Sequence, residues 1–414
     1  MLFQAVKNIY KRFNTANVFA SDAGTKPLAE QKEYVASFPE PADDFERSYF
    51  KYKCFCEFCY YRKKWIIFFY NFGAMIVLPF LRLSLRSKFK KHVPSLLKFD
   101  AAVENVPRLP NTDFIPESFT EEYPSIKEIT EIRYGDAFLN DQADRICIEL
   151  RKRYFRHFYF RIIVMMKLAQ FSLYLEEYHP RAIAFYSCER EFAGPLLTLL
   201  CESAGSKYVV FMHGDYLYQL CFAFQRYSKY YLWDESYIEM FRSLHCSFPT
   251  EVYLPLKMRG IAQKLPPQDC RFFATYYFSA ETREAAEKIA QVFKSFANAH
   301  LRCKIRPHPR FSDIKMLREV FDGFFIEDPK EYLLSDSITD SLYAIGLNTT
   351  VLSQAFFSGK DVVIDDISSP ELYSSLEERE YIMMRRKHLL LSELEKAVLS
   401  DVKYDPSYLF FVNE

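Results

Sequence analysis

Three short polar clusters in this 414-residue sequence have the residue types needed to hold or cleave a phosphorylated ligand. The first is Arg306-Pro307-His308-Pro309-Arg310. Two prolines restrict the backbone around the imidazole. The ring can donate a hydrogen bond to a phosphate oxygen, while Arg306 and Arg310 add charge-assisted contacts. Donors placed in this way stabilise a departing phosphate. In an ordinary strand-end loop, the same histidine would only cap a helix. The second cluster is Gly346-Leu347-Asn348-Thr349-Thr350, ahead of apolar Val351, Leu352, Ala355 and Phe356. Hydroxyls and backbone N–H groups at a helix start cradle phosphates, although a threonine there serves equally as an N-cap. The third is Met212-His213-Gly214-Asp215. His213 or Asp215 suits a general base acting on an acceptor hydroxyl, and Gly214 permits close approach of a ligand. The plain alternative is a βα turn. Glu189, Glu191 and Asp234 are competing carboxylates, each just past an apolar run.

These clusters matter because of the elements that must present them. Short apolar runs alternate with helical patterns from residue 180 onward. Strands are expected at 182–186, 207–212, 229–233 and 251–254, with helices at 194–204 and 235–244. A stretch at 259–269 carrying a glycine and a Pro-Pro pair reads as a linker. The alternation then resumes, with strands at 271–277, 301–305, 342–345 and 361–364 and helices at 282–299 and 351–358. Near-continuous apolar strands alternating with helices predict parallel, doubly wound sheets. Ligands of open α/β sheets bind beyond the carboxyl ends of the strands, where all three clusters fall.

The N-terminal third reads differently. Residues 1–50 show little periodicity, and 93–135 carry five prolines, so both are expected to be irregular. Residues 65–81 are the most apolar stretch, with basic residues on both sides, including Arg82, Arg86, Lys88, Lys90 and Lys91. At 17 residues the stretch is short for a membrane span, which needs about 20. Its basic flanks suit the anionic inner face of a membrane, and a buried helix with a solvated basic tail is the alternative. Residues 145–178 have one long helical periodicity.

Composition removes several classes. A length of 414 residues exceeds what one core supports, so two domains are expected. Half the residues are hydrophobic and 18% aromatic, which excludes a disordered chain. Lys+Arg and Asp+Glu both total 54, giving no net basic charge for nucleic acid to bind. Ten cysteines, mostly among apolar neighbours, and no secretory signal suit a reducing cytosol. Cys54, Cys56 and Cys59 lack a second pair at zinc-ligand distance. No P-loop, dinucleotide fingerprint or metal signature occurs among only ten glycines, so neither cofactor nor metal is expected.

The HG turn at 213–214, H-P-R at 308–310, N-T-T at 348–350 and A-F-F-S-G-K-D-V-V-I-D at 355–365 together resemble bacterial GT-B glycosyltransferases. That group includes CMP-sugar enzymes (sialyltransferases and Kdo transferases of capsule and lipopolysaccharide) and CDP-glycerol-type polymerases of teichoic acids. The resemblance covers about residues 180–370 and implies that His308, Thr349 and Thr350 hold a CMP phosphate. The acidic pair followed by glycine of sialyltransferases is missing, and His213-Gly214 takes its place, nearer the polyol and Kdo enzymes. The expected architecture is α/β GT-B: an extension at 1–135, an acceptor domain at 136–258, and a nucleotide-sugar domain at 270–414, the last two facing a cleft. The expected activity is metal-independent transfer of an acidic sugar from CMP-sialic acid or CMP-Kdo to a lipid-linked or oligosaccharide acceptor. The donor would be held by Arg306, His308, Arg310, Asn348, Thr349 and Thr350, with His213, Asp215, Glu189 or Asp234 as catalytic candidates. The expected location is the cytoplasm, peripheral at the inner membrane. A CDP-glycerol or CDP-ribitol phosphotransferase and a non-catalytic assembly protein are the alternatives.

Overall fold

The apolar runs do form strands, most of them covered on both faces and paired with parallel neighbours. The computed structural model describes residues 27–60, 64–93, 95, 97–104, 115–129, 136–186, 191–212, 214–255, 258 and 261–400. His213 and Glu189 lie outside the described residues. The chain divides into two units, one of Met1–His213 with Tyr218–Leu254 and one of Gly214–Leu217 with Pro255–Glu414.

The first unit is built on β1 (Ala101–Glu104), β2 (Ile126–Ile129), β3 (Ala182–Tyr186), β4 (Lys207–Phe211), β5 (Lys229–Leu232) and β6 (Thr250–Val252). They form one parallel sheet in the order β2-β1-β3-β4-β5-β6. The separate extension expected at 1–135 is therefore corrected, since β1 and β2 are strands of this sheet. Both sit among the prolines of 93–135, whose turn signals mask two short strands. The single helix expected over 145–178 is two, Asp141–Arg153 and Phe158–Tyr178. Neither glycine nor proline marks the break. Tyr154 leaves the helical path and stacks on Tyr49, with ring centroids 4.4 Å apart. Phe158–Tyr178 is buried around most of its circumference and belongs to the core. The apolar stretch at 65–81 lies within a longer helix, Lys64–Phe89.

The second unit holds β7 (Phe272–Tyr277), β8 (Cys303–Arg306), β9 (Phe325–Ile326), β10 (Ser341–Gly346), β11 (Asp361–Ile364) and β12 (Leu389–Leu390), also all parallel. Their order is β12-β11-β10-β7-β8-β9. Counted from the first strand of the unit this is the Rossmann order, and winding reverses between β7 and β10. Helix Arg283–Asn298 shows how sequence fixes the packing. Thr282 caps it by accepting from Ala285 N, and Ala285, Ile289, Val292, Phe293 and Phe296 form one buried stripe. That stripe shares a core with Tyr276, Ile305, Tyr343 and Val363 from four neighbouring strands.

Candidate functional site at the carboxyl edge of the second sheet

At a winding reversal the crossovers leave to opposite sides and open a crevice beyond the strand ends. In the second unit that point lies between β7 and β10, with β8 on the other side of β7. The exits of β8 and β10 are thus two strand spacings apart, roughly 10 Å. The loop after β8 carries His308, and the loop after β10 carries Asn348, Thr349 and Thr350. The sheet brings together two of the three clusters found in sequence.

The His308 loop is braced from within. The His308 N–H donates to Ser312 Oγ at 2.8 Å, and that hydroxyl donates to the Ser279 carbonyl after β7 at 3.2 Å. The imidazole is half-buried and stacks on Phe311 at 4.5 Å. Its Nδ1 accepts from the Arg310 N–H at 3.1 Å. A neutral ring accepting at Nδ1 carries its proton on Nε2, which is then a donor. Burial, and then the Arg310 charge, hold the His308 pKa below its usual value, favouring this neutral form. The Arg310 side chain is exposed next to it.

Arg306 takes a different place from the one expected. It is only 8% exposed, donates to Glu327 Oε2 at 2.9 Å and to the Tyr332 carbonyl at 2.9 Å. Lys304 Nζ binds the other Glu327 oxygen at 2.5 Å, and Ser337 Oγ donates to Oε2 at 2.6 Å. This is a buried ion cluster joining β8 to the chain after β9. Its guanidinium is spent on the fold, so its assignment as a donor ligand is corrected. The pattern R-P-H-P-R shows two flanking arginines, but Arg306 is the last residue of the strand and points into the sheet's packing, whereas Arg310 lies in the loop.

The turn after β10 depends on Gly346. A Cβ there would lie 3.1 Å from Thr349 Cγ2 and 3.3 Å from the Tyr277 carbonyl, tighter than a side chain tolerates without displacement. Thr349 caps helix Thr350–Phe357, accepting at its hydroxyl from Val351 N at 3.4 Å. Its carbonyl accepts from Tyr381 Oη at 3.4 Å. Asn348 is exposed, and Thr350 is half-buried.

Asp215 sits in this same unit, with residues 214–217, rather than with the strand that precedes it. A Cβ on Gly214 would stand 3.6 Å from Thr350 Oγ1. Asp215 Oδ2 accepts from Ser353 Oγ at 2.7 Å, one turn into the helix that Thr349 caps. Gly214 and Asp215 are therefore neighbours of the N-T-T cluster. Two other candidate carboxylates belong to the first unit. Glu191 is ion-paired with Lys167, and Asp234 accepts from Ser236 N at 2.9 Å at the start of a helix, both in the first unit.

One residue at this edge escaped the sequence reading. Glu281 follows β7 and accepts from Ser279 N at 2.6 Å. Burial raises its carboxyl to a pKa of about 7, and the Asp365 carboxylate pushes in the same direction. Asp365 itself is fully buried, accepting from Tyr276 Oη at 2.6 Å, Ser368 Oγ at 2.5 Å and the Ile367 and Ser368 N–H groups. The signal for Glu281 was its place, in the loop of the strand at the winding reversal. Among the described residues no three His, Cys, Asp or Glu side chains are grouped as metal ligands.

No family model matches the chain, and no curated protein matches it. Among solved structures it is similar to the wall teichoic acid polymerase TagF, at 10% identity over 73% of this chain and 82% of that one, with a TM-score of 0.37. It is similar to the glycotransferase of kitacinnamycin at 13% identity over 76% and 92%, with a TM-score of 0.36. The GtfA/B complex gives 12% identity over 45% and 42%, with a TM-score of 0.29. Likeness at this level extends to no residue or substrate of the present chain.

Proposed function

We propose that the second unit binds the phosphate of a nucleotide-activated sugar and that the chain is a glycosyltransferase. The observation that carries the reading is the Nδ1 bond of His308, which commits Nε2–H to donation at the carboxyl edge beside the winding reversal. Arg310 supplies positive charge, and the Thr349 and Thr350 hydroxyls supply further donors from the loop after β10, whose strand lies roughly 10 Å from β8. That span suits a phosphate held from two sides. A neutral imidazole donor stabilises the charge that develops on a leaving nucleotide. Asp215, held by Ser353, is the carboxylate assigned as base for the acceptor hydroxyl. The finer reading is a CMP-linked acidic sugar, sialic acid or Kdo, moved to a lipid-linked or oligosaccharide acceptor of a bacterial surface glycan. The resemblance of the H-P and N-T-T clusters to CMP-sugar enzymes supports it, while the H-G turn is nearer the Kdo and CDP-polyol enzymes than the sialyltransferases.

Release of CMP from CMP-sialic acid and CMP-Kdo tests the proposal. His308→Ala should lower turnover about 10²-fold or more while the circular-dichroism melt is kept. Near-normal turnover in that variant removes the donor-site assignment. CMP release from CDP-glycerol instead makes the chain a polyol phosphotransferase, and release from none of the three donors makes it a non-catalytic protein.

A further inference from the structure

Helix Lys64–Phe89 contains no aspartate or glutamate in its 26 residues. Its window from Ile67 has a mean hydropathy of 1.5, enough by length and composition to cross a membrane. Only one face is covered. Ala74, Leu78, Leu81 and Leu85 are buried against the first unit. The polar side chains of that covered side are fixed there too. Asn71 Oδ1 accepts from Tyr159 N at 3.0 Å. Arg82 forms a two-pronged pair with Asp144 at 2.8 and 3.0 Å. Arg86 binds Asp141 at 2.7 Å and the Leu139 carbonyl at 2.8 Å.

The opposite face is a stripe of Phe68, Phe69, Phe72, Ile76, Phe80 and Leu83, each between 54% and 70% exposed. Their spacing follows the 3.6-residue turn, so they point one way. Six such side chains expose roughly 600–700 Å² of apolar surface, at or above the largest patch of an ordinary soluble monomer. Lys88 lies in the last turn of the helix, and Lys90 and Lys91 follow it, with exposed Val93 and Leu97 beyond. Its N-terminal end is preceded in sequence by Arg62 and Lys63.

We infer that this stripe lies in the plane of a lipid bilayer with anionic headgroups, as a monotopic anchor of the first unit. A span is disfavoured by the covered face. Turning the helix through the bilayer would strip Asn71, Arg82 and Arg86 from their partners and place them in hydrocarbon. A second copy of the chain fits poorly, because both helix ends are basic and every two-fold pairing brings like charges together. Anionic headgroups complement those ends, and phenylalanines fill the acyl boundary.

The test is flotation of the full-length protein with vesicles of phosphatidylcholine alone or with phosphatidylglycerol added, without any sugar donor. Wild type should bind the phosphatidylglycerol vesicles. The triple variant Phe68→Ser, Phe72→Ser, Phe80→Ser should lose that binding about tenfold or more with an unchanged melt. Lys90→Gln and Lys91→Gln should each weaken it about fivefold. Failure of wild type to float with either vesicle overturns the inference, as does unchanged binding by the triple variant. So does a wild-type dimer that the triple variant converts to monomer. Because the readout is lipid binding, it is separate from the fate of the donor-site proposal.

Discussion

Helices Lys64–Phe89 and Phe158–Tyr178 have nearly the same mean hydropathy, 1.5 and 1.3, and both are long enough to cross a bilayer. One is 17% buried over its apolar window and the other 83%. The difference lies in what surrounds them. Phe158–Tyr178 covers strands of the first sheet and is ringed by side chains, with Phe171 stacked on Phe185 of β3. Lys64–Phe89 packs against that helix on one side only and leaves its phenylalanines outside. The charged residues of the second unit show the reverse case, since Lys304, Arg306 and Glu327 are inside. Composition ranks residues by their average surroundings, and these two regions depart from the average in opposite directions.

The largest expected effect sharpens the helix comparison directly. Val164→Asp introduces a carboxylate where Val164 is fully buried, and the cost should be about 4 kcal/mol or more. Phe72→Asp, at a position 56% exposed, should stay within about 1 kcal/mol of wild type. Urea midpoints of the two variants measure this. Equal destabilisation would mean that the Lys64–Phe89 face is covered after all.

The buried charges give the next effect. Glu327→Ala leaves Lys304 and Arg306 inside with no carboxylate, a loss of about 3–5 kcal/mol. Burial already pulls the Lys304 pKa below the lysine range, with the Glu327 bond opposing. The variant should therefore recover part of its stability as Lys304 is deprotonated at high pH, which thermal melts between pH 7 and 10 would follow.

These examples mark where the sequence was legible. The eight strands expected after residue 180 all appear, most within one or two residues of their expected bounds, because most are apolar runs bounded by polar residues. β1 and β2 were missed because they lie in the proline-carrying stretch 93–135, which reads as loop, and β9 and β12 because they have two residues each. The site was legible as strand-end clusters at His308 and Thr349, since position past a parallel strand is a property of the alternation. The inward turn of Arg306 was not legible. It depends on Glu327, 21 residues further on, and on a buried geometry that no local pattern encodes. Nor was the place of residues 214–217 in the second unit, where Asp215 is bonded to Ser353, 138 residues away.

Glu281 offers a smaller, pH-dependent test of the polar edge. A carboxyl whose pKa rises on folding binds its proton more tightly in the native state. Its contribution is full below the unfolded value of about 4.3 and is lost as pH rises through about 7. Glu281→Gln keeps a neutral side chain at every pH. The stability of the variant relative to wild type should therefore grow between pH 5 and 8. Chemical denaturation at those two values reads the change, and a pH-independent difference would show that the Glu281 carboxyl is not held in an apolar setting.

The smallest effect decides between the two uses of Thr349. As an N-cap, its hydroxyl accepts from Val351 N, and Thr349→Ala should cost about 1 kcal/mol. As a donor-site residue, it should also bind a phosphate. Alanine removes both functions and cannot separate them. Thr349→Asp can, because aspartate is as good a cap as threonine or better, and its charge favours a helix N-terminus. If Thr349 only caps, the aspartate variant should match wild type in both melting and CMP affinity. If it faces the phosphate, the melt should hold or rise while CMP affinity falls about tenfold or more, since a carboxylate then stands where an anion must bind. Calorimetric titration with CMP beside a melt of the same sample distinguishes the two, because capping and repulsion move the measurements independently.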